Sequence, residues 1–595
     1  MTDGGDRNSS MRFRLAFLNG LSYLSAMVML FVIPAALIRW MLPYSVVRTA
    51  LDQQAGDGSA DLYTLALHQR VVAGISLATS GGLLTLFLLA VYWRPVSKNM
   101  RELASEASQA IRNQAISLRE SWPALTITGL VAALTRWPFI HLPMRFDESY
   151  TYLQYASQPL YVTVSKYDAP NNHVLHSVLV WFATRLGGNS PEVIRCPAFV
   201  CGVLTAMLAA WWGSRRGGRW VGVVAGCVAA MSSILVEYSV NARGYTLVQL
   251  LVMLIGVVGD EWVQRPTRAG LYFLSVLAAL ALWTMPTAVY PLVVMGVYLW
   301  GASRTASLES ARASLLRELL VPGAVMIGLT LLLYSPLLVV SGLGAITSAG
   351  HGQFDGLGSW SRGFAASLVE TFTLLDRDQP LPTLVLLVVG IAGSSRFRRA
   401  GLWIGLGLVA CLVIVAIQRV APPPRSWLFL WPFLCSLGVA GCDDSVREGS
   451  QRLRVAILVG VFVIGGVLPG VELFRSGCIA RSPETGICPD AEAVITGLRS
   501  HLDPGEPIIA ITPASAPLAY YAHRQSLPAD HFFRPALATA TTRRAILVLS
   551  RHPDQSIPEV LQALDLTEAY SRHRPQLRQE FATAAVYELI PPDEK

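Results

Sequence analysis

Apolar segments long enough to cross a lipid bilayer recur along almost the whole of this 595-residue chain. An upright transmembrane helix needs about 20 predominantly apolar residues. The segments that reach or approach this length lie at roughly 15–38, 71–93, 123–142, 192–213, 219–239, 246–263, 271–285, 286–301, 319–340, 380–394, 402–418, 426–441 and 455–474. Charged residues make up only 14% of the chain, against about 25% in a typical soluble domain. The sequence therefore predicts a mainly α-helical bundle of about 13 transmembrane spans, and it argues against a soluble enzyme and a disordered chain.

The short loops between these segments carry most of the arginines, which indicates how the bundle is oriented. Loops on one side are rich in arginine, and the positive-inside rule places them in the cytoplasm. These arginines are Arg215, Arg216, Arg219, Arg265, Arg268, Arg304, Arg312, Arg317, Arg396, Arg398, Arg399, Arg447, Arg452 and Arg454. Alternation then puts the N-terminus inside and the C-terminus outside, provided that the apolar stretch 173–187 lies as a helix on the outer surface. The net charge of +8 is attributed to topology, and nucleic acid is not expected as a partner.

Three domains are expected from this pattern. Residues 1–120 contain two spans and most of a polar cytoplasmic connector helix at 97–121. Residues 121–475 form the membrane body, whose first external loop is 143–191. Residues 476–595 have soluble character and form an external domain.

The external domain is predicted to have a small α/β fold, because strand-like and helical runs alternate in it. The strand-like runs are 507–512, 545–550 and 585–590, and the helical runs are 514–523 and 558–566. Cys478 and Cys488 open this domain on the oxidising side of the membrane, where a disulfide between them is expected. The other six cysteines lie in or beside apolar spans. The chain has no CxxC or CxxH pair, so no zinc or redox motif is recognised.

Two adjacent carboxylates, Asp147 and Glu148, directly follow the third apolar segment at the outer membrane face. Carboxylates beside an apolar surface are costly to desolvate, so one of the two can have a raised pKa and act as a base. The alternative is a solvated helix start, since carboxylates favour the first turn of a helix. The residue types alone leave both interpretations open.

The same external loop continues with a polar stretch that leads into an apolar helix. It contains Asp168, Asn172, His173 and His176, and the two histidines are spaced i, i+3 on one helix face. One interpretation is that these groups turn back towards Asp147 and hold a substrate or a metal ion. The other is an interfacial helix capped by asparagine, and two histidines at this spacing are only a weak metal signal.

Two external turns place cations close to the membrane surface. Arg243 and Tyr245 lie in the turn between the fifth and sixth segments, and Arg425 begins the twelfth segment after three prolines. An arginine at this depth needs a partner, and a phosphate suits its planar fork of donors. The alternative partner for Arg243 is Glu237 in the same turn. Two cations opposite two carboxylates suggest a phosphate-bearing lipid substrate.

Common energy-coupling and hydrolase motifs are missing. The chain has no GxxxxGK[ST], HExxH or GxSxG sequence, and no span carries the acid or lysine relay expected in an ion-coupled transporter. ATP-driven transport, common hydrolase chemistry and ion-coupled transport therefore lose support.

Four short motifs, taken in order, resemble the GT-C superfamily of integral-membrane glycosyltransferases. They are the acidic pair at 146–149, the Pro/His stretch at 169–176, the Ala-Arg-Gly-Tyr turn at 242–245 and the Pro/Arg turn at 422–427. The chain is most similar to bacterial enzymes related to protein O-mannosyltransferases and the lipid A aminoarabinose transferase, over about residues 121–475. It departs from many relatives at 171–174, where Asn-Asn-His-Val replaces a Lys or His followed by two prolines.

The resemblance implies an inverting transferase that takes a sugar from a polyprenyl phosphate at the outer face of a bacterial inner membrane. Asp147 would be the general base, and Glu148 would orient the acceptor or share the charge. The implied donor-binding set is Arg243, Tyr245, Arg425, His173, His176, Asn172 and Asp168. An activated donor needs no nucleotide motif, and the residues give no support for a metal cofactor. A lipid-linked saccharide flippase and an enzyme resembling O-antigen ligases remain as alternatives, and the acceptor stays open.

Overall fold

The computed structural model describes residues 43–55, 63–305, 312–348, 354, 356–378, 381–482, 484, 486–503, 506–528, 531–532, 544–551 and 554–592. The first predicted span, 15–38, lies outside the described residues. The described chain is mainly helical and ends in a small α/β domain, as predicted.

The helices up to the first external loop and within it are α1 (Tyr44–Ala55), α2 (Leu65–Val91), α3 (Trp93–Arg136), α4 (Phe146–Thr151), α5 (Leu160–Ser165) and α6 (Val174–Gly187). The remaining helices of the membrane body are α7 (Pro191–Gly217), α8 (Arg219–Met231), α9 (Ser233–Ser239), α10 (Tyr245–Gln264), α11 (Arg268–Thr284), α12 (Val289–Thr305), α13 (Arg312–Val340), α14 (Leu343–Ser348), α15 (Leu357–Asp378), α16 (Leu381–Gly393), α17 (Arg398–Gln418), α18 (Leu430–Ser445), α19 (Gln451–Phe462) and α20 (Leu468–Ser476).

Five helices among the described residues are long and apolar enough to cross a membrane, and six if the bent pair α8 and α9 is one span. The five are Pro191–Gly217, Tyr245–Gln264, Leu320–Val340, Arg398–Gln418 and Gln451–Ser476. Helices α6, α11 and α16 are apolar but shorter. The membrane character of the chain is confirmed, whereas the count of thirteen spans stays a prediction.

Helices α8 and α9 meet at a bend of 64°. The break exposes the carbonyl of Ala230, which accepts hydrogen bonds from Arg136 Nη1 and Thr135 Oγ1, each at 3.0 Å. A freed backbone carbonyl in an apolar setting must find such donors. The bend redirects α9, so that its Glu237 and Tyr238 lie among the side chains of the external loop described below.

The structure differs from the sequence prediction at two helices. The connector at 97–121 and the span at 123–142 are one continuous helix, α3, because Pro123 is accommodated inside it. Its polar half is held by Arg268, whose Nη2 donates to Glu102 at 2.9 Å. Helix α15 was not predicted, since its sequence mixes polar and apolar residues in an amphipathic pattern. Its Trp360 Nε1 donates to the Val420 carbonyl at 3.0 Å, which ties α15 to the Pro/Arg turn.

The C-terminal domain contains one four-stranded sheet. Its elements are α21 (Cys478–Arg481), α22 (Ala491–Leu498), β1 (Ile508–Ile509), α23 (Ser515–Arg524), β2 (Ala545–Ser550), α24 (Ile557–Ala563), α25 (Thr567–Tyr570), β3 (Arg574–Glu580) and β4 (Ala584–Ile590). The strand order is β1-β2-β4-β3, with β1 parallel to β2 and the other pairs antiparallel. The three predicted strands are present, although β1 is only two residues long. Strand β3 was missed because it is an exposed polar edge strand.

This domain packs directly against the first external loop. Met144 N donates to Tyr521 Oη at 3.1 Å, and Tyr520 Oη donates to the Asn189 carbonyl at 2.7 Å. The Tyr152 and Tyr520 rings meet edge to face, with centroids 5.8 Å apart. The loop and the C-terminal domain therefore share one apolar core.

No disulfide joins Cys478 and Cys488 in the structure, so that prediction is corrected. Cys478 packs with Phe139 and Val236 beside the membrane body. Cys488 is buried in the separate core that the external loop shares with the C-terminal domain. The short sequence separation suggested a closed loop, but the two thiols belong to different packing clusters.

Candidate active site

The first turn of α4 presents Asp147 to a partly open site. Its side chain is 17% exposed, and its Oδ2 lies 3.0 Å from Arg243 Nη1. Its Oδ1 accepts a hydrogen bond from Asn171 Nδ2 at 3.3 Å. Asp147 is thus a carboxylate that an incoming group can reach, held by one cation and one amide. Asp147 and Arg243 were both predicted from the sequence as site residues, whereas Asn171 was not.

Glu148 faces the opposite way and is fully buried. It forms an ion pair with Arg195, whose Nε donates to Oε2 at 3.0 Å. The backbone N–H groups of Arg145 and Ala242 donate to its two oxygens, each at 2.9 Å. Burial alone would raise the pKa of Glu148, but Arg195 and these N–H groups hold that pKa below its ordinary value. Glu148 therefore stays ionised and does not reach an acceptor, contrary to the role that the resemblance implied.

Helix geometry explains why neighbouring carboxylates differ so much. Successive residues of an α-helix are rotated by about 100°, so Asp147 and Glu148 cannot share one face of α4. Arg145, at the start of α4, donates from Nη1 to Glu237 at 2.8 Å and from Nη2 to the Ile479 carbonyl. These buried bonds fix α4 between α9 and the C-terminal segment, and with it the direction of Asp147.

Glu148→Gln is expected to destabilise the protein by about 3–5 kcal/mol, because it leaves the Arg195 guanidinium buried without its counter-ion. The midpoint of denaturant unfolding in detergent measures this loss. Glu192→Gln is the matched control, since Glu192 is partly exposed and forms its ion pair with His141, at 2.9 Å, rather than with a buried arginine. Equal midpoints for the two variants would contradict the structural role of Glu148.

Arg243 is buried, with 2% of its side chain exposed. Among the described residues, its Nε and Nη1 have no partner with hydrogen-bond geometry, so the contact with Asp147 is an ion pair only. Glu237, the alternative partner, binds Arg145 instead. The guanidinium carbon lies 5.7 Å from the centroid of the Tyr245 ring. Arg243 thus offers buried, charged donors beside Asp147.

A second cation, Arg425, belongs to a hydrogen-bonded chain of four side chains that includes Tyr245. Arg425 donates from Nε to Tyr245 Oη at 2.8 Å and from Nη1 to Glu484 Oε2 at 3.2 Å. Tyr238 Oη donates to the same Glu484 oxygen at 2.9 Å. Glu484 comes from the C-terminal segment, and nothing in its local sequence pattern indicated that it enters the site.

The two histidines of the external loop have different surroundings. His173 Nδ1 accepts from the Gly244 N–H at 2.8 Å, and its ring meets Tyr245 edge to face with centroids 5.0 Å apart. Burial, together with the charge of Arg243, lowers the pKa of His176 to about 3, so its ring is neutral at pH 7. Within the described part of the chain, no group of three or more His, Cys, Asp or Glu is arranged to hold a metal ion.

Asn172 and Asp168 are engaged in holding the loop itself. The buried Asn172 donates from Nδ2 to the carbonyls of Thr163 and Lys166 at 3.0 and 2.8 Å. Asp168 accepts from Tyr155 Oη at 2.5 Å and lies 3.3 Å from Lys166 Nζ. The predicted contact of Asn172 with a substrate is therefore replaced by a structural role, and Asp168 belongs to the Tyr155 network.

An apolar cavity of about 860 Å³ lies between α10, α11, α12 and α13. Its lining includes Leu282 and Val289, which flank the turn 285–288. Residues of that turn line a second, separate cavity of about 20 Å³, which also contacts Tyr245 and Arg425. The large cavity has the size and the apolar lining of a binding pocket.

No family model and no curated protein match the chain. It is similar to the solved structure of ArnT from Cupriavidus metallidurans in the apo state, with 13% identity, 81% of this chain and 98% of that chain covered, and a TM-score of 0.48. For ArnT bound to undecaprenyl phosphate the identity is 12%, the coverage 78% and 97%, and the TM-score 0.49. For the Archaeoglobus fulgidus oligosaccharyltransferase these values are 12%, 80% and 75%, and 0.46.

Proposed function

We propose that this protein is a membrane glycosyltransferase that moves a sugar from a polyprenyl phosphate to an acceptor hydroxyl. The observation that carries the proposal is the pairing of a reachable carboxylate, Asp147, with the buried guanidinium of Arg243 at 3.0 Å. A base and an anion-binding donor are thereby held side by side. A group transfer with a phosphate leaving group needs both at one site.

In the proposed reaction, Asp147 accepts the proton of the acceptor hydroxyl while the hydroxyl oxygen attacks the anomeric carbon. The bond from that carbon to the phosphate oxygen breaks, and its electrons leave with the polyprenyl phosphate. Arg243 stabilises the charge on the departing phosphate through its open donors. A single displacement inverts the anomeric centre. Asn171 keeps the Asp147 carboxylate oriented.

The proposed donor has a lipid tail, and the apolar cavity supports this choice. Its volume of about 860 Å³ and its position between α10 and α13 suit a hydrocarbon chain. Leu282 and Val289 of this lining flank the turn 285–288, and residues of that turn border the small cavity beside Tyr245 and Arg425. We assign the site to the outer face of a bacterial inner membrane, following the arginine-rich loops on the other side.

Deleting the gene is expected to remove one sugar from one class of envelope molecule. Comparative mass spectrometry of envelope glycolipids, glycans and glycoproteins, with and without the gene, measures this change and also identifies the acceptor. Restoration by a plasmid-borne copy is the control. Identical profiles in both strains, under conditions where the protein is produced, would contradict a transferase function.

A further inference from the structure

The ionised side chains around Asp147 form four pairs whose charges balance. The pairs are Asp147 with Arg243, Glu148 with Arg195, Glu237 with Arg145, and Glu484 with Arg425. None of these eight side chains is more than 17% exposed. An anion entering this cluster adds a negative charge that no paired cation offsets, and an unbalanced buried charge is costly.

Glu484 is the member of this cluster best placed to remove that imbalance. Its side chain is 6% exposed, and it faces Arg425 of the Pro/Arg turn and Glu237 and Tyr238 of α9. Burial raises the pKa of Glu484; Arg425 and Tyr238 offset this only in part, and Glu237 adds to it. Glu148 has the opposite shift, so it keeps its charge.

We infer that the donor phosphate binds together with one proton, which Glu484 takes up from solvent as it gives up the Arg425 guanidinium to the phosphate. One anionic phosphodiester and one proton enter together, so the charge of the cluster does not change. The inference rests on the proposed function, because it takes the donor to be a lipid phosphate. Glu484 is then a positioning residue, because its protonation frees Arg425 to bind the donor phosphate.

The C-terminal segment is anchored on both sides of Glu484. On one side, the Ile479 carbonyl accepts from Arg145. On the other, the Gly486 carbonyl accepts from the Phe146 N–H at 2.8 Å. Protonation of Glu484 can therefore break its bond to Arg425 without releasing the segment from α4. The external domain would in this way contribute a side chain to donor binding.

The test is isothermal titration of the full-length protein in detergent with farnesyl phosphate, in two buffers of different ionisation enthalpy. The difference in observed heat gives the number of protons taken up. Wild type is expected to take up more protons than Glu484→Gln, by a large fraction of one proton. Comparing two proteins with one ligand cancels the ligand's own titration. Glu506→Gln, which removes another mostly buried carboxylate of the same domain, should behave as wild type.

The affinity for farnesyl phosphate should also depend on pH in a defined direction. Glu484 has a higher pKa in the bound state, so binding is fully supported below the pKa of the free site and weakens as pH rises above it. Uptake of one proton per binding event corresponds to a fall in affinity of at most about tenfold per pH unit. The glutamine of Glu484→Gln takes up no proton, so the affinity of this variant should fall less than that of wild type as the pH is raised.

Equal proton uptake in wild type and Glu484→Gln would overturn the inference, because the proton would then go elsewhere. If Glu484→Gln does not fold, wild type is titrated with the methyl ester of farnesyl phosphate, a phosphodiester that has no ionisation of its own near neutral pH. An affinity for this probe that does not change with pH excludes the coupling. Binding of farnesyl phosphate without proton uptake would leave the proposed function intact. A wild type that does not bind farnesyl phosphate at all would overturn both.

Discussion

Asp147→Asn is expected to lower glycosyl transfer by about 10²-fold or more, the usual loss for a positioned acid or base. Asparagine keeps the size of the side chain but cannot accept the proton of the acceptor hydroxyl. Because Asp147 is partly exposed and no backbone N–H among the described residues donates to its carboxylate, Asp147→Asn should lose less stability than Glu148→Gln and still fold. The measurement is the initial rate of transfer from a polyprenyl-phosphate sugar, at matched amounts of purified protein.

Asp168→Asn is the matched control for this change. Asp168 is a carboxylate of the same external loop, but it binds Tyr155 and Lys166 rather than Arg243. Its variant should retain most of the transfer rate. Near-wild-type activity in Asp147→Asn, or an equal loss in both variants, would contradict the assignment of Asp147 as the base.

Arg243→Ala is expected to raise KM for the donor and lower kcat together, with a combined loss of about 10²-fold in kcat/KM. It removes a buried cation that binds the donor phosphate and stabilises it as it leaves. Arg243→Lys should recover only part of the loss, because an ammonium group cannot reproduce the two-pronged donor geometry. Steady-state kinetics with varied donor concentration separate the two parameters.

Arg185→Ala is the control for the loss of an external arginine. Arg185 is exposed on α6 and stacks over Trp181 at 5.1 Å, so its kinetics should be those of wild type. A change in KM alone for Arg243→Ala would limit Arg243 to donor binding. A flippase would respond in the reverse order, with a severe loss in Arg243→Ala and a mild one in Asp147→Asn.

The sequence was sufficient to predict the parts of the site that depend on local pattern. The apolar segments gave the membrane body, and the external turns located Asp147, Arg243 and Arg425. The structure brings Asp147 and Arg243 into contact, and it links Arg425 to Tyr245. These residues could be singled out from the sequence because each charged residue stands out against apolar surroundings, and their roles stay predictions.

The sequence could not show which carboxylate of the pair Asp147 and Glu148 is buried and which is open. Glu148 is buried because Arg195, 47 positions further along the chain, meets it on the inner face of α4. Only the three-dimensional packing of α7 against the external loop decides which carboxylate stays open. The sequence also could not show which of two adjacent asparagines belongs to the site. The amide of Asn171 binds Asp147, whereas the amide of Asn172 binds the backbone of the loop.

The contribution of the C-terminal domain was also missed, for a different reason. Glu484 bonds to Tyr238 across 246 residues of sequence. No periodicity or spacing encodes a contact of that range. The predicted disulfide is absent for a different reason, since Cys478 and Cys488 are close in sequence but lie in separate packing clusters.

The most direct test of the account combines the gene deletion with the Asp147 variant. The sugar lost from the envelope of the deletion strain is followed by mass spectrometry after complementation with wild type or with Asp147→Asn. Membrane levels of the two proteins are matched. The account predicts full restoration by wild type and almost none by Asp147→Asn. Full restoration by Asp147→Asn would show that the carboxylate of Asp147 is not the base, and would contradict the proposed mechanism.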